Sequence, residues 1–97
     1  MRLRFTRVAL ADLDAIFDHI AAESPRGAKR AQTRIHAIID LIAEHSQIGA
    51  RTDNPAIRRM VVSPYPYLVF YEPTDDQVII HAVRHGARDP SGMPGSS

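Results

Sequence analysis

Four arginines, one histidine and one aspartate cluster where charge could meet a phosphate or a carboxylate. Arg58 and Arg59 stand together mid-chain, and Arg84, His85, Arg88 and Asp89 close the last stretch before the Gly/Pro/Ser-rich tail. With Tyr71 as a further proton carrier, this set contains the parts of a metal-free phosphodiester cleavage site. Such chemistry needs an acid for the leaving oxygen, cations on the phosphate and a base for the attacking hydroxyl. The base is the weak member. Gln47 to Met60 contains neither Lys nor Glu, and the nearest glutamates, Glu44 and Glu72, fall at a helix end and beside a turn. Plainer roles compete: His85 as a packed strand-end residue, and Arg88-Asp89 as a local ion pair. Tyr65, Tyr67 and Tyr71 have no basic residue interleaved with them, so they read as core or groove wall and not as a base-stacking platform.

Metal chemistry is not expected. Cysteine is absent, and His19, His36, His45, His81 and His85 include no H-E-x-x-H motif. No cofactor motif is present either. Eleven of the twelve basic residues are Arg, Lys29 being the exception, while the net charge is only +1. Arg suits bidentate recognition of carboxylate or phosphate, although composition bias alone would also produce it.

The elements that must position these residues follow from periodicity. Arg2 to Thr6 alternates as a strand, with Leu3 and Phe5 on one face. Leu10, Leu13, Ile16, Phe17 and Ile20 recur at helical spacing over Val8 to Glu23, with Asp12, Asp14 and Asp18 on the opposite face. Ser24-Pro25 restarts a helix that runs to about His45. Its apolar stripe is Ala28, Ala31, Ile35, Ile38, Ile39 and Ile42, and its outer face carries Arg26, Lys29, Arg30 and Arg34. So short a joint enforces an antiparallel helical hairpin. Gln47 to Pro55 reads as a loop, with Gly49 and Asn54-Pro55 as breakers. Strands follow at Ile57–Ser63, Tyr65–Glu72 and Gln77–His85, the last two joined by a turn at Pro73-Thr74-Asp75-Asp76. The fold class is α+β: an N-terminal strand, a helical hairpin, then a three-stranded antiparallel meander with the hairpin on one face. One domain spans residues 1–90, and residues 91–97, rich in Gly, Pro and Ser, form a flexible tail. The N-terminus lacks the apolar core of a signal peptide, and no apolar run would cross a bilayer, so a cytoplasmic protein with no membrane association is expected.

Strict alternation puts Leu68 and Phe70 on one face, and Tyr67, Val69 and Tyr71 on the other. It sets Val78, Ile80 and Ala82 against Ile79, His81 and Val83. Neither strand has a polar face, so both faces need cover. Loops and the tail are one candidate for the second face. A partner segment in a groove is the sharper one.

The chain resembles a known family in several places at once. These are A-x-x-D-L-x-x-I (Ala9, Asp12, Leu13, Ile16), the helix opening at Ser24-Pro25, Gly49-x-Arg51, Y-P-Y-L-V-F-Y (Tyr65 to Tyr71) and V-R-H-G-A-R-D (Val83 to Asp89). Together they are similar to the ParE/RelE superfamily of type II toxin–antitoxin toxins, from Leu3 to Asp89, with an ending closest to the ParE branch. The resemblance implies a toxin held inactive in a hetero-oligomer by a cognate antitoxin, commonly of ribbon-helix-helix type, whose acidic C-terminal segment wraps it. For the ParE branch it implies DNA gyrase as the target. RelE-branch members instead cut mRNA on the ribosome, using mid-chain lysines or a Glu–His pair, and some ParE-like proteins have lost toxicity.

Three functions therefore stand: a gyrase-directed inhibitor with no chemistry of its own, an mRNA endonuclease, and a non-toxic antitoxin binder. The antitoxin surface is expected at Arg59, Tyr67, Val69, Tyr71, Val83 and Arg84, and the target surface at Arg84, His85, Arg88 and Asp89. A nuclease would use Arg59, Arg84, His85 and Arg88.

Overall fold

The computed structural model describes residues 1–86. Their order is β1 (Arg2–Phe5), α1 (Arg7–Glu23), α2 (Pro25–Glu44), β2 (Ala50–Arg51), β3 (Arg58–Val61), β4 (Tyr67–Pro73) and β5 (Gln77–His85). The helices begin where their caps dictate. The Thr6 hydroxyl accepts from the Ala9 N–H at 3.1 Å, and that of Ser24 from the Gly27 N–H at 2.9 Å, with Pro25 in the first turn. Ser24 ends α1 as well, its N–H donating to Ile20 O at 2.8 Å. A single residue therefore joins the two helices.

The sheet order is β1-β5-β4-β3-β2. The expected meander is present, but two features were not expected. The loop after α2 contributes β2, which pairs with β3 through Ala50↔Arg59 and Arg51↔Arg58. The N-terminal strand lies parallel to β5, from Arg2↔Gln77 to Phe5↔Ile80. A parallel pair needs a long crossover, and the helical hairpin with the other strands supplies it.

The core lies between the hairpin and one face of the sheet. Ile35, Ile38, Ile39 and Ile42 of α2 and Ala9 and Leu13 of α1 pack on Tyr67, Val69, Tyr71, Val78, Ile80 and Val83. Burying one such isoleucine contributes about 1.5–3 kcal/mol, and truncating Ile35 to Ala would cost roughly 2–5 kcal/mol. Ala31 is buried as expected, while Ala28 is only half-buried near the start of the helix.

On α1 two assignments change. Leu10 is half exposed, at 51%, because the buried line runs through Ala9, Leu13, Ile16, Phe17 and Ile20. Asp12 is not on the solvent face. It points at the sheet edge, where its Oδ2 accepts from the Val83 N–H at 3.0 Å. β1 ends at Phe5, opposite Ile80, so the edge of β5 beyond that point has lost its strand partner. The Asp12 carboxylate takes the place of the missing carbonyl.

A bulge decides which face each residue of β5 presents. Phe70 pairs with Ala82 but Tyr71 with Ile80, which leaves His81 as the extra residue. Val78, Ile80 and Val83 therefore face the helices together, while Ala82 faces away with Phe70. Strict alternation had grouped Ala82 with Val78 and Ile80, and Val83 with His81. Among the described residues, no helix is long and apolar enough to cross a membrane.

Candidate functional site

The face of the sheet turned away from the hairpin carries Arg59 and Val61 on β3, Leu68, Phe70 and Glu72 on β4, and His81, Ala82 and Arg84 on β5. This follows from the pairings Arg59↔Phe70↔Ala82 and Val61↔Leu68↔Arg84. Part of this face is closed by the protein's own loop. Thr52 Oγ1 lies 3.0 Å from Ile57 O, and the Ile57 N–H donates to Asn54 O at 3.0 Å. Asn54 Oδ1 accepts from the Ala56 N–H at 3.0 Å. This Asn-Pro turn seats Ile57 on Phe70 and Ala82, and all three are buried. The half towards the end of β5 stays open: Val61 is 53% exposed, and Leu68, Arg59 and Arg84 are half-buried.

Four of the six residues expected at the antitoxin surface lie elsewhere. Tyr67, Val69, Tyr71 and Val83 are 7% exposed or less and sit under the helices. As placed, they are core and offer a partner no surface. Arg59 and Arg84 do reach the open face. Arg58 is a staple, its Nη1 donating to Gln47 O at 3.0 Å and Gly49 O at 2.8 Å, and its Nη2 to Gln47 Oε1 at 2.6 Å.

Under this staple lies a second lock. The Tyr71 hydroxyl accepts from the Gly49 N–H and donates to Ser46 O, each at 2.9 Å. A Cβ on Gly49 would stand 2.5 Å from that hydroxyl and 3.0 Å from Arg59 O, so the glycine answers a close approach. Burial pushes the Tyr71 phenol above its ordinary value, opposed by the Gly49 hydrogen bond and the Arg58 charge.

The structure separates the residues that cleavage chemistry would need together. His85 pairs with Tyr67 and packs edge-on against its ring, with centroids 5.6 Å apart. It thus lies on the helix side, beside a cavity of about 210 Å³ shared with Ala15, Ile16 and His19. Its Nδ1 is buried and has no hydrogen-bond partner among the described residues. Arg59 and Arg84 leave the sheet on the other side. Arg84 Nε is 3.6 Å from Asp12 Oδ2, and among the described residues no hydrogen bond satisfies it. Arg88 and Asp89, like the tail, lie outside the described residues.

One pair was missed in the sequence. Glu72 lies on β4, and its Oε1 is 2.9 Å from His81 Nε2. Both are about one-third exposed and line, with Arg84, Asn54 and Thr6, an open cavity of about 480 Å³. The bulge that displaces His81 brings the two side chains together, and no spacing rule contains it. His81 and His85 do have the i, i+4 spacing of a helical metal motif. They stand on a strand, where four residues span about 13 Å, and the bulge sends them to opposite faces. Among the described residues no group of three His, Cys, Asp or Glu converges on one point.

Comparison with known proteins agrees with this architecture. A solved chromosomal ParDE toxin–antitoxin system from P. aeruginosa superposes with a TM-score of 0.76 at 26% identity, covering 88% of this chain and 95% of that one. Toxin RelE2 of Caulobacter vibrioides is 41% identical over 80 residues, 82% of this chain and 89% of that protein. The family model described as the ParE toxin of the type II toxin–antitoxin system parDE matches residues 3–90. Matched over nearly its whole length, the chain belongs to this family of type II toxin–antitoxin toxins, the ParE toxins.

Proposed function

We propose that this toxin acts by binding DNA gyrase, without chemistry of its own, and that a cognate antitoxin of ribbon-helix-helix type neutralises it. The observation that supports a binding mode over a nuclease is the division of the candidate residues by the sheet. Arg59 and Arg84 leave on the open face, and His85 is packed beneath the helices against Tyr67. A proton donor and the cations that hold a phosphate must converge within hydrogen-bond reach of one reacting group, and a β-sheet stands between these.

The antitoxin surface in this reading is the open half of the sheet: Val61 and Leu68 for apolar contact, with Arg59 and Arg84 for acidic side chains. An acidic segment meets charge-assisted donors there and covers apolar area the chain leaves to solvent. The target surface is the strand end at Arg84 with the segment that follows it, including Arg88 and Asp89.

A second reading is carried by one observation. Glu72 holds His81 at 2.9 Å in a cavity that Arg84 also lines. That is an oriented imidazole with a cation beside it, which suits acid–base work on RNA. The two are separated by inducing the chain alone in bacteria. A DNA-damage response with filamentation supports gyrase. Arrested translation with cut mRNA, abolished by His81→Ala, would replace the first reading with the second. Normal growth with the antitoxin still bound would leave only the complex-forming role.

A further inference from the structure

We propose that the outer face of α2 is a docking strip for the phosphate backbone of duplex DNA, whatever the toxin's protein target. Arg26, Lys29, Arg30 and Arg34 lie along this face with Thr33 and Ala37, all exposed, opposite the buried line of Ile35, Ile38, Ile39 and Ile42. Among the described residues none of the four cations has an acidic partner within salt-bridge distance. Arg34 uses one of its five donors internally, Nε to Ser63 O at 2.6 Å.

The placement runs against what the helix itself prefers. Cations suit a helix C-terminus and acids its N-terminus. Here the first three turns carry the cations and the last two carry Asp40 and Glu44, with no acid in the first turn and no base in the last. Arg26–Arg30 and Arg30–Arg34 are also like-charge neighbours one turn apart, which disfavours the helix. Local rules broken without a structural return point to function.

The chemistry favours a polyanion of the nucleic-acid type over an acidic protein segment. Between its charges the strip offers Thr33, Ala37 and the aliphatic stems of the cations, which line an open cavity of about 580 Å³; the exposed ion pairs an acidic peptide would gain there are of small worth. A duplex gains at each cation, because every phosphate neutralised releases condensed counterions. The eight steps from Arg26 to Arg34 span about 12 Å along the helix, the width of the major groove of B-DNA. The two ends of the row then reach phosphates on opposite strands. The exposed face of α1 carries Asp14, Asp18 and Glu23, which repel a duplex, so α2 is the side presented.

The test is fluorescence anisotropy of the full chain with a mixed-sequence 20-base-pair duplex, across a salt series. Four phosphate contacts predict a log–log slope of about −3.6, or a roughly 150-fold loss of affinity from 50 to 200 mM salt. Arg26→Gln, Lys29→Gln and Arg30→Gln together should make the slope shallower by about 2.7. The variant's melting temperature should hold or rise, since like-charge repulsion is relieved. A variant with unchanged affinity and slope overturns the proposal. So does a wild-type chain that ignores the duplex at 50 mM salt but binds a Glu-rich peptide through the same three residues. A duplex RNA of equal length, whose major groove is too narrow to match the spacing of the row, should bind at least about fivefold more weakly. Equal or tighter RNA binding refutes the assignment to DNA.

Discussion

Removing one hydroxyl, in Tyr71→Phe, tests how the loop before the meander is held. The side chain is wholly buried, and its oxygen bridges the Gly49 N–H and Ser46 O, each at 2.9 Å. Phenylalanine fills the same ring space, so little apolar contact is lost. What remains is a buried Gly49 N–H with no acceptor, which costs about 1–3 kcal/mol. Ser46 is half-exposed, so its carbonyl can turn to water. A net loss of about 2 kcal/mol is expected. For a domain of this size that lowers the melting temperature by roughly 8–16 °C. In urea it shifts the midpoint by about 1 M with the slope unchanged.

Gly49→Ala should be destabilising by roughly 1–3 kcal/mol through overpacking, because the new Cβ meets the hydroxyl at 2.5 Å. The two changes should not add. Without the hydroxyl the nearest obstacles are Tyr71 Cε1 at 2.8 Å and Arg59 O at 3.0 Å, so the double variant should be more stable than the sum by about 1 kcal/mol or more. Urea unfolding followed by circular dichroism reads all four states of the cycle. An additive cycle, or a Tyr71→Phe chain within about 0.5 kcal/mol of wild type, the range of a neutral surface change, would refute the lock.

Four further outcomes are expected. Asp12→Ala should destabilise by about 1–2 kcal/mol by orphaning the Val83 N–H, and Asp12→Asn should recover most of this by restoring an acceptor; equal losses in the two would show that charge towards Arg84 matters more. Above pH 10 the wild type should lose stability as the pH rises, because Tyr71 titrates at a raised value only in the folded state; the contribution is whole below the unfolded value and lost through the folded one. Alkaline melting curves of Tyr71→Phe should lack it. Arg59→Glu with Arg84→Glu should weaken antitoxin binding by at least tenfold per site while the chain stays folded, about 1.4 kcal/mol each; unchanged titration calorimetry would move the antitoxin off the open face. Truncation after Gly86 keeps the Gly86 N–H on Pro66 O at 2.7 Å, so the fold and antitoxin binding should survive while toxicity is lost; a folded truncate that still kills would place the effector surface on the helical hairpin.

Local chemistry was enough for both helices, for every strand but β2, and for their order. Ser24-Pro25 announces a helix break and restart in two residues, because an N-cap oxygen and a proline without an N–H each have one favourable place. The isoleucines of α2 at positions 35, 38, 39 and 42 mark the buried side because only a helix brings them to one face. A three-residue or four-residue recurrence needs no knowledge of the rest of the chain, and the motifs that carry the family resemblance are equally local.

The faces of the sheet were a different matter. Alternation groups residues by side but does not say which side the helices cover, and for Tyr67, Val69, Tyr71 and Val83 that choice separates a groove from a core. A single inserted residue, His81, reverses the parity of everything after it. The bulge is a property of the pairing of β5 with β4, invisible in five letters of sequence. Asp12 reads as a solvent residue until the early end of β1 leaves the Val83 N–H in need of an acceptor. Glu72 meets His81 only through the bulged register of β4 on β5, and Gly49 meets Tyr71 only once the loop after α2 closes on β4. Periodicity is a property of one segment, whereas burial, pairing and the meeting of side chains depend on two, so the second kind of fact became available only with the tertiary structure.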